Sequence, residues 1–181
     1  MPGEPVQTIG SLPPPLETAV EQAASRGNDP ARCGYELSRN IVLAVREAKT
    51  LRPELVASYG VYLLEKHAKR LGSEVWAMYE QVAVALLQYG KGSHDADADA
   101  AESMRLAKEY HSLLSAQFPG SLRVRRLEGM MQEANGQLDA AMAQYDAILK
   151  EDANNIFAFR RQVMTRVMRV NELRMSGIEM R

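Results

Sequence analysis

The sequence predicts an all-α chain of stacked antiparallel helical hairpins. Two observations predict it: apolar residues recur at helical spacing from Leu37 to Val170, and Gly, Pro and Asn-Gly signals cut that pattern into helix-sized segments. The clearest unit is Ser121 to Asn155, two amphipathic helices joined at Asn135-Gly136. One such pair cannot bury its own apolar faces, so it must stack on neighbours.

At 181 residues, with 46% hydrophobic and 25% charged residues, the chain suits one domain with one core. The formal net charge of −1 gives no global field for nucleic acid or an anionic membrane. Cys33 is the only cysteine and there is no Asn-x-Ser/Thr sequon, which points to a reducing compartment. The longest apolar runs, Ile41 to Val45 and Val82 to Leu87, fall far short of the roughly 20 residues of a membrane helix.

Residues 1–28 carry Pro2, Pro5 and Pro13-Pro14-Pro15 with few large apolar groups, a composition expected to give a disordered leader that serves as a spacer. Residues 29–181 form the helical-repeat domain. Asp29-Pro30 is a helix start, because Asp accepts the orphan N–H groups and Pro loses nothing at the first helical position. Leu37, Ile41, Ala44, Val45 and Ala48 carry that helix to about Lys49. Pro53 opens a second one, with Leu55, Val56, Tyr59, Leu63, Leu64 and His67 on one face, closed by Gly72 and completing a hairpin over 29–72. Ser73 reads as the N-cap of a helix with Val75, Trp76, Tyr79, Val82, Ala83, Leu86 and Leu87, in which Trp76 is core. Residues 91–101 (KGSHDADADAA) read as an acidic loop insertion. Helix resumes near Ala101 with Met104, Ala107, Tyr110, Leu113, Leu114 and Phe118, and Phe118-Pro119-Gly120 ends it, closing a hairpin over 73–119. The next hairpin spans 120–153. A half repeat over 155–181 follows, with Ile156, Phe159, Val163, Met164, Val167 and Val170 in its helix and no clear apolar stripe around Ser176-Gly177. The missing polar cap predicts a shortened or variant form of a longer protein, one that melts early or self-associates through Ile156, Phe159 and Val163.

The tetratricopeptide repeat pairs two helices over 34 residues. With Gly136 at the turn, Gly129 takes the small close-contact position of the first helix, and Ala141, Tyr145 and Ile148 take the packing positions of the second. Tyr110, Leu113 and Leu114 stand 35 residues before Tyr145, Ile148 and Leu149, so two units agree in their second helices. Arg125 occupies the usual Trp position, Ala153 the terminal Pro position, and a generic helical bundle is the alternative. The predicted architecture is a tetratricopeptide-repeat-like right-handed superhelix, with Trp76, Tyr79, Tyr110, Leu114, Gly129, Gly136, Ala141, Tyr145 and Ile148 as repeat-packing residues.

The run LGSEVWAMYEQVAVALLQYGK, then Phe118-Pro119-Gly120-Ser121, Arg123-Val124, Arg126-Leu127, Gly129-Met130, Glu133-Ala134, Tyr145-Asp146, Ile148-Leu149 and Glu151-Asp152, resembles the subunit 2 family of the endoplasmic reticulum (ER) membrane protein complex. The resemblance covers about Leu71 to Asn155, with a looser part from Pro53 to Arg70. It implies a tetratricopeptide-repeat scaffold without cofactor, peripheral to the ER membrane on its cytosolic side. It also implies contacts with membrane-embedded and soluble subunits of that complex, in support of inserting transmembrane helices, tail anchors included. The acidic insertion and the absence of further repeats depart from the family pattern.

His67, His94 and His111 have no metal-ligand spacing and Cys33 stands alone. Asp95, Asp97 and Asp99 mimic a calcium loop, but Ala100 and Leu106 occupy the positions that need Gly and Glu. Gly90-Lys91-Gly92-Ser93 lacks the spacing of a phosphate loop, and no nucleophile-base constellation is legible, so no enzyme and no cofactor are expected. Arg123, Arg125 and Arg126 crowd one helix start, while Arg160, Arg161, Arg166 and Arg169 decorate another. They either solvate outer faces or grip acidic partner segments. Arg123, Arg125, Arg126, Arg160 and Arg161 are the candidate partner-binding residues. Nucleic acid is not expected, because no aromatics interleave with the arginines. The alternative function is an independent tetratricopeptide-repeat co-chaperone or adaptor that binds acidic peptide segments.

Overall fold

The computed structural model of the chain describes residues 15–89 and 96–175, which are all-helical. Residues 1–14, Gly90-Lys91-Gly92-Ser93, His94, Asp95 and 176–181 lie outside the described residues. The chain divides between Ala68 and Lys69 into two compact units, where periodicity predicts one continuous domain over 29–181.

The first unit holds α1 (Leu16–Ala24), α2 (Pro30–Glu47) and α3 (Pro53–His67). Helix α1 corrects the expectation of disorder for its residues. Its large apolar groups are few, but Ala19 and Ala23 are fully buried as α1 packs on α2, so small residues suffice for close helix contact. The chain turns through Gly27 and Asn28, both at positive φ, and Asp29 Oδ1 accepts from the Ala31 N–H at 2.9 Å to cap α2. Gly34 sits at φ 70° inside α2 and kinks it. The Cys33 carbonyl beside the kink accepts instead from Arg26 Nη1 at 3.0 Å. Beyond it Leu37, Ile41, Ala44 and Val45 face Val56, Tyr59, Leu63 and Leu64 of α3, as their spacing predicts.

Cys33 Sγ lies 4.0 Å from the buried Tyr59 hydroxyl. Burial first, and Cys33 second, push this phenol from 10.0 up to about 12. Folded chain therefore keeps a proton that unfolded chain releases, so this stability is full below about pH 10 and is lost as pH rises toward 12. In urea titrations followed by far-UV circular dichroism, Tyr59→Phe should flatten the fall in midpoint across that window. An unchanged fall in the variant contradicts the assignment.

The second unit begins in a 3-10 segment, Ala68–Glu74, which contains Gly72 at φ 53°. Ser73 lies within this segment and the next helix starts after it, so Ser73 is not the expected N-cap. Helices α4 (Val75–Tyr89), α5 (Ala96–Gln117), α6 (Leu122–Ala134), α7 (Leu138–Glu151) and α8 (Ile156–Met175) follow. Helix α4 pairs with α5 and α6 with α7, α6 also packs on α4 and α5, and α8 lies on α7 and touches α6. Residues 96–101 are helical, which shortens the expected loop insertion. The alanine-rich stretch has the propensity to extend the helix of Met104 and Ala107 backwards. Met78, Val82, Leu86, Ala107, Tyr110, Leu114 and Leu127 form the core. Trp76 is only half-buried, and it stands edge-on to Phe118 with centroids 5.8 Å apart, at the mouth of a cleft rather than in the core. Leu113, expected on the buried stripe, is 41% exposed.

Candidate protein-binding surface

The α6–α7 hairpin rests on one close approach. A Cβ added at Gly129 would lie 2.6 Å from Tyr145 Cε1, so only glycine lets this ring cross α6. Gly136, at φ 74°, makes the turn that brings the two helices together. Tyr145, Ala141, Ile148 and Ala158 are completely buried in one cluster, which ties α7 to α8, and Leu122 packs against it.

Beneath that cluster lies a buried polar knot. The Glu133 side chain is fully buried, and its carboxylate accepts from the Tyr145 hydroxyl at 2.7 Å and the Thr165 hydroxyl at 2.8 Å. Arg161 forks onto both carboxylate oxygens, so the buried charge is paired and its lone pairs are used. Burial, then the Glu133 hydrogen bond, raises the Tyr145 phenol far above its ordinary value. The knot joins α6, α7 and α8 through groups that only this packing brings together, and so fixes the register of α8. Gln162 adds a second link by donating to Asp146. Asn155 caps α8, its Oδ1 accepting from the Ala158 N–H at 3.1 Å.

Most of the candidate partner-binding arginines are spent inside the chain. Arg123 Nη2 lies 2.6 Å from Glu80 and Arg126 Nη2 3.2 Å from the same carboxylate, so the start of α6 is braced to α4. Arg125 Nη1 reaches Glu151 at 2.6 Å, and Arg161 is bound to Glu133. Burial lowers the Arg126 guanidinium against the opposing pull of Glu80, and its cation sits 4.9 Å from the Phe157 ring centroid. Arg160 differs: it is exposed and, among the described residues, has no carboxylate partner in this chain. These charge pairs cross from helix to helix over long sequence separations, so the local crowding of arginines gave no sign of them.

The surfaces left open are apolar. Helix α8 buries Ala158, Gln162 and Thr165 and exposes Ile156, Phe159, Val163 and Val167 on the opposite side, each 43–61% accessible. Phe157 and Met164 are exposed beside that stripe. A cleft of about 330 Å³ between α4, the end of α5 and the start of α6 is lined by Trp76, Phe118, Leu114 and Leu127, with the Arg123–Glu80 pair at its rim. A smaller one of about 180 Å³ is lined by Met130, Met164 and Met168 above Glu133 and Arg161. Tyr79 meets Tyr110 in a tilted contact, ring centroids 5.1 Å apart, inside the α4–α5 pair. His67 meets the Tyr62 hydroxyl at 3.1 Å in the first unit, and His111 of the second is half-buried, its imidazole held below its ordinary value chiefly by burial.

Fold and surface together define a class: a helical-hairpin protein whose arginines brace its own helices and whose open faces are apolar. No family model matches the chain. Among curated proteins it is similar to ER membrane protein complex subunit 2 of Xenopus tropicalis, 34% identical over 132 residues. Subunit 2-B of Xenopus laevis is 33% identical over 132 residues, and the Dictyostelium discoideum subunit 2 is 28% identical over 130. The Xenopus matches cover 73% of this chain and 40% of the relatives, and the Dictyostelium match covers 71% and 37%. The curated homologues of this chain are thus named as subunit 2 of the ER membrane protein complex, and the chain spans less than half of their length.

Proposed function

We propose that this chain is a non-catalytic scaffold subunit of the ER membrane protein complex, lying peripherally on the cytosolic side of the membrane. The hairpins of its second unit stack in the manner of tetratricopeptide repeats, the units of a right-handed superhelix. It supports the insertion of transmembrane helices, tail-anchored proteins included, by bracing membrane-embedded and soluble subunits through protein contacts. The observation that carries this reading is the family relationship, and the relatives are named as subunits of that complex. The exposed apolar face of α8 supports it, since a scaffold needs faces that are incomplete alone. Among the described residues no helix is long and apolar enough to cross a membrane, so the attachment proposed is through protein. The rival reading, a clamp for acidic peptides, loses Arg125 and Arg161 to Glu151 and Glu133 of the same chain.

Affinity purification of the tagged full chain from detergent-solubilised ER membranes tests the proposal. Membrane subunits of the complex should co-purify in fixed proportion; their absence from the eluate overturns the reading.

A further inference from the structure

We propose that the cleft between α4, the end of α5 and the start of α6 is a docking site for a peptide segment of another protein, one that carries an aromatic anchor flanked by Asp or Glu. The inference stands on the cleft itself and does not require membership in the complex.

The cleft combines an apolar socket with a charged lip. Leu114 and Leu127 line it while almost fully buried, and the edge-on pair of Trp76 and Phe118 stands at its mouth, Phe118 being 41% exposed. Aromatic rings prefer edge-to-face and offset contacts, so a third ring finds both a face and an edge here. The volume of about 330 Å³ is at the lower end of the roughly 300–1,000 Å³ typical of ligand pockets. That room takes one large side chain with its adjoining backbone.

The lip selects the charge. Glu80 is paired with two guanidiniums, those of Arg126, 17% exposed, and Arg123, 72% exposed. One carboxylate thus faces two cations, and the surplus positive charge lies at the rim. Arg123 donates from Nε and Nη2 to Glu80, and its Nη1 has no acceptor among the described residues. A carboxylate next to the aromatic anchor takes up that donor.

Other occupants fit less well. Every Phe, Tyr and Trp of the sequence lies among the described residues, so residues 1–14, 90–95 and 176–181 offer no aromatic anchor. A further hairpin stacked in register would add on α7 and α8, which pack on α6 and on each other but not on α4 or α5. A second copy would offer the exposed Phe157 or Phe159, but Arg160 and Arg161 follow them directly, and like charges would meet at Arg123.

The test titrates the full chain with the synthetic peptide Gly-Ser-Asp-Phe-Asp-Ser-Gly, following the emission of Trp76, the single tryptophan, and the heat of binding. The peptide should shift that emission. It should also bind at least about tenfold more tightly than its Asn-Phe-Asn and Asp-Ala-Asp counterparts. Ala77→Glu, at an exposed position of the lining, should abolish binding with circular dichroism unchanged. Arg123→Gln should erase the preference for Asp over Asn and leave that for Phe over Ala. No binding, equal affinity for either counterpart, or binding untouched by Ala77→Glu each overturn the proposal, as does an Asp preference that survives Arg123→Gln. Free phenylpropionate bound as tightly as the peptide would make the occupant a small aromatic acid and overturn it. Sedimentation showing a dimer that Ala77→Glu dissociates would make a second copy the occupant and overturn it likewise.

Discussion

Replacing Gly129 by alanine should lower the stability of the second unit by about 1–2 kcal/mol, and replacing it by valine should cost about 3 kcal/mol or more. In an exposed helix the first change would stabilise by about 1 kcal/mol, since alanine is the better helix former. Here a Cβ would fall 2.6 Å from Tyr145 Cε1 and 2.8 Å from Cζ. The ring cannot step aside, because its residue is completely buried and its hydroxyl is held by Glu133. Overpacking therefore outweighs propensity, and a β-branched side chain aggravates it. Trp76 is the single tryptophan and lies in the second unit, so its fluorescence in urea reports that unit alone while far-UV circular dichroism reports both. Tyr145→Ala should make Gly129→Ala nearly harmless, a non-additivity expected only for residues in direct contact. A midpoint for Gly129→Ala equal to or above that of the unaltered chain would refute this account.

The parts of the fold legible in the sequence are those that short-range patterns specify. Asn135-Gly136 marks the turn, Asp29-Pro30 opens α2, and the spacing of Ala141, Tyr145 and Ile148 places them in the core where they lie. Helix α1 escaped because its buried groups are Ala19 and Ala23, which composition counts as weakly apolar although close packing needs small residues. Trp76 misled in the opposite sense: its size argues for the core, yet it borders the cleft with Phe118. The arginines misled because charge is legible locally while its partners are not. Glu80 lies more than forty residues before Arg123 and Arg126, and no spacing rule connects them. Glu133 was the largest omission, since one carboxylate beside methionines on an amphipathic helix reads as solvated. Only the arrival of Tyr145, Arg161 and Thr165 from α7 and α8 makes it a buried centre.

That centre should dominate the response of the last three helices to substitution. Glu133→Ala strands the Arg161 guanidinium, 28% exposed, together with the Tyr145 hydroxyl, while the Thr165 hydroxyl keeps the Arg161 carbonyl at 2.8 Å, and it should cost about 3–5 kcal/mol. Glu133→Gln keeps one acceptor for a hydroxyl but loses the charge opposite Arg161, so it should cost about 1.5–3 kcal/mol. Removing both charges together, as Glu133→Leu with Arg161→Leu, should recover part of the stability, because no ion is left unpaired while the buried Tyr145 hydroxyl still loses its acceptor. Since Arg161 lies on α8 and Glu133 on α6, the single variants should also free α8: amide exchange from Ala158 to Thr165 should accelerate in Glu133→Ala and return toward normal in the double variant. The raised Tyr145 phenol adds a pH signature. Its proton is held in the folded unit and released on unfolding, so stability is intact below about pH 10 and declines above it. That decline should weaken in Glu133→Gln, which removes the nearby negative charge. If Glu133→Ala left the Trp76 transition and α8 exchange unchanged, the knot would be incidental to the fold, and α8 would be held by Ala158 and the apolar cluster alone.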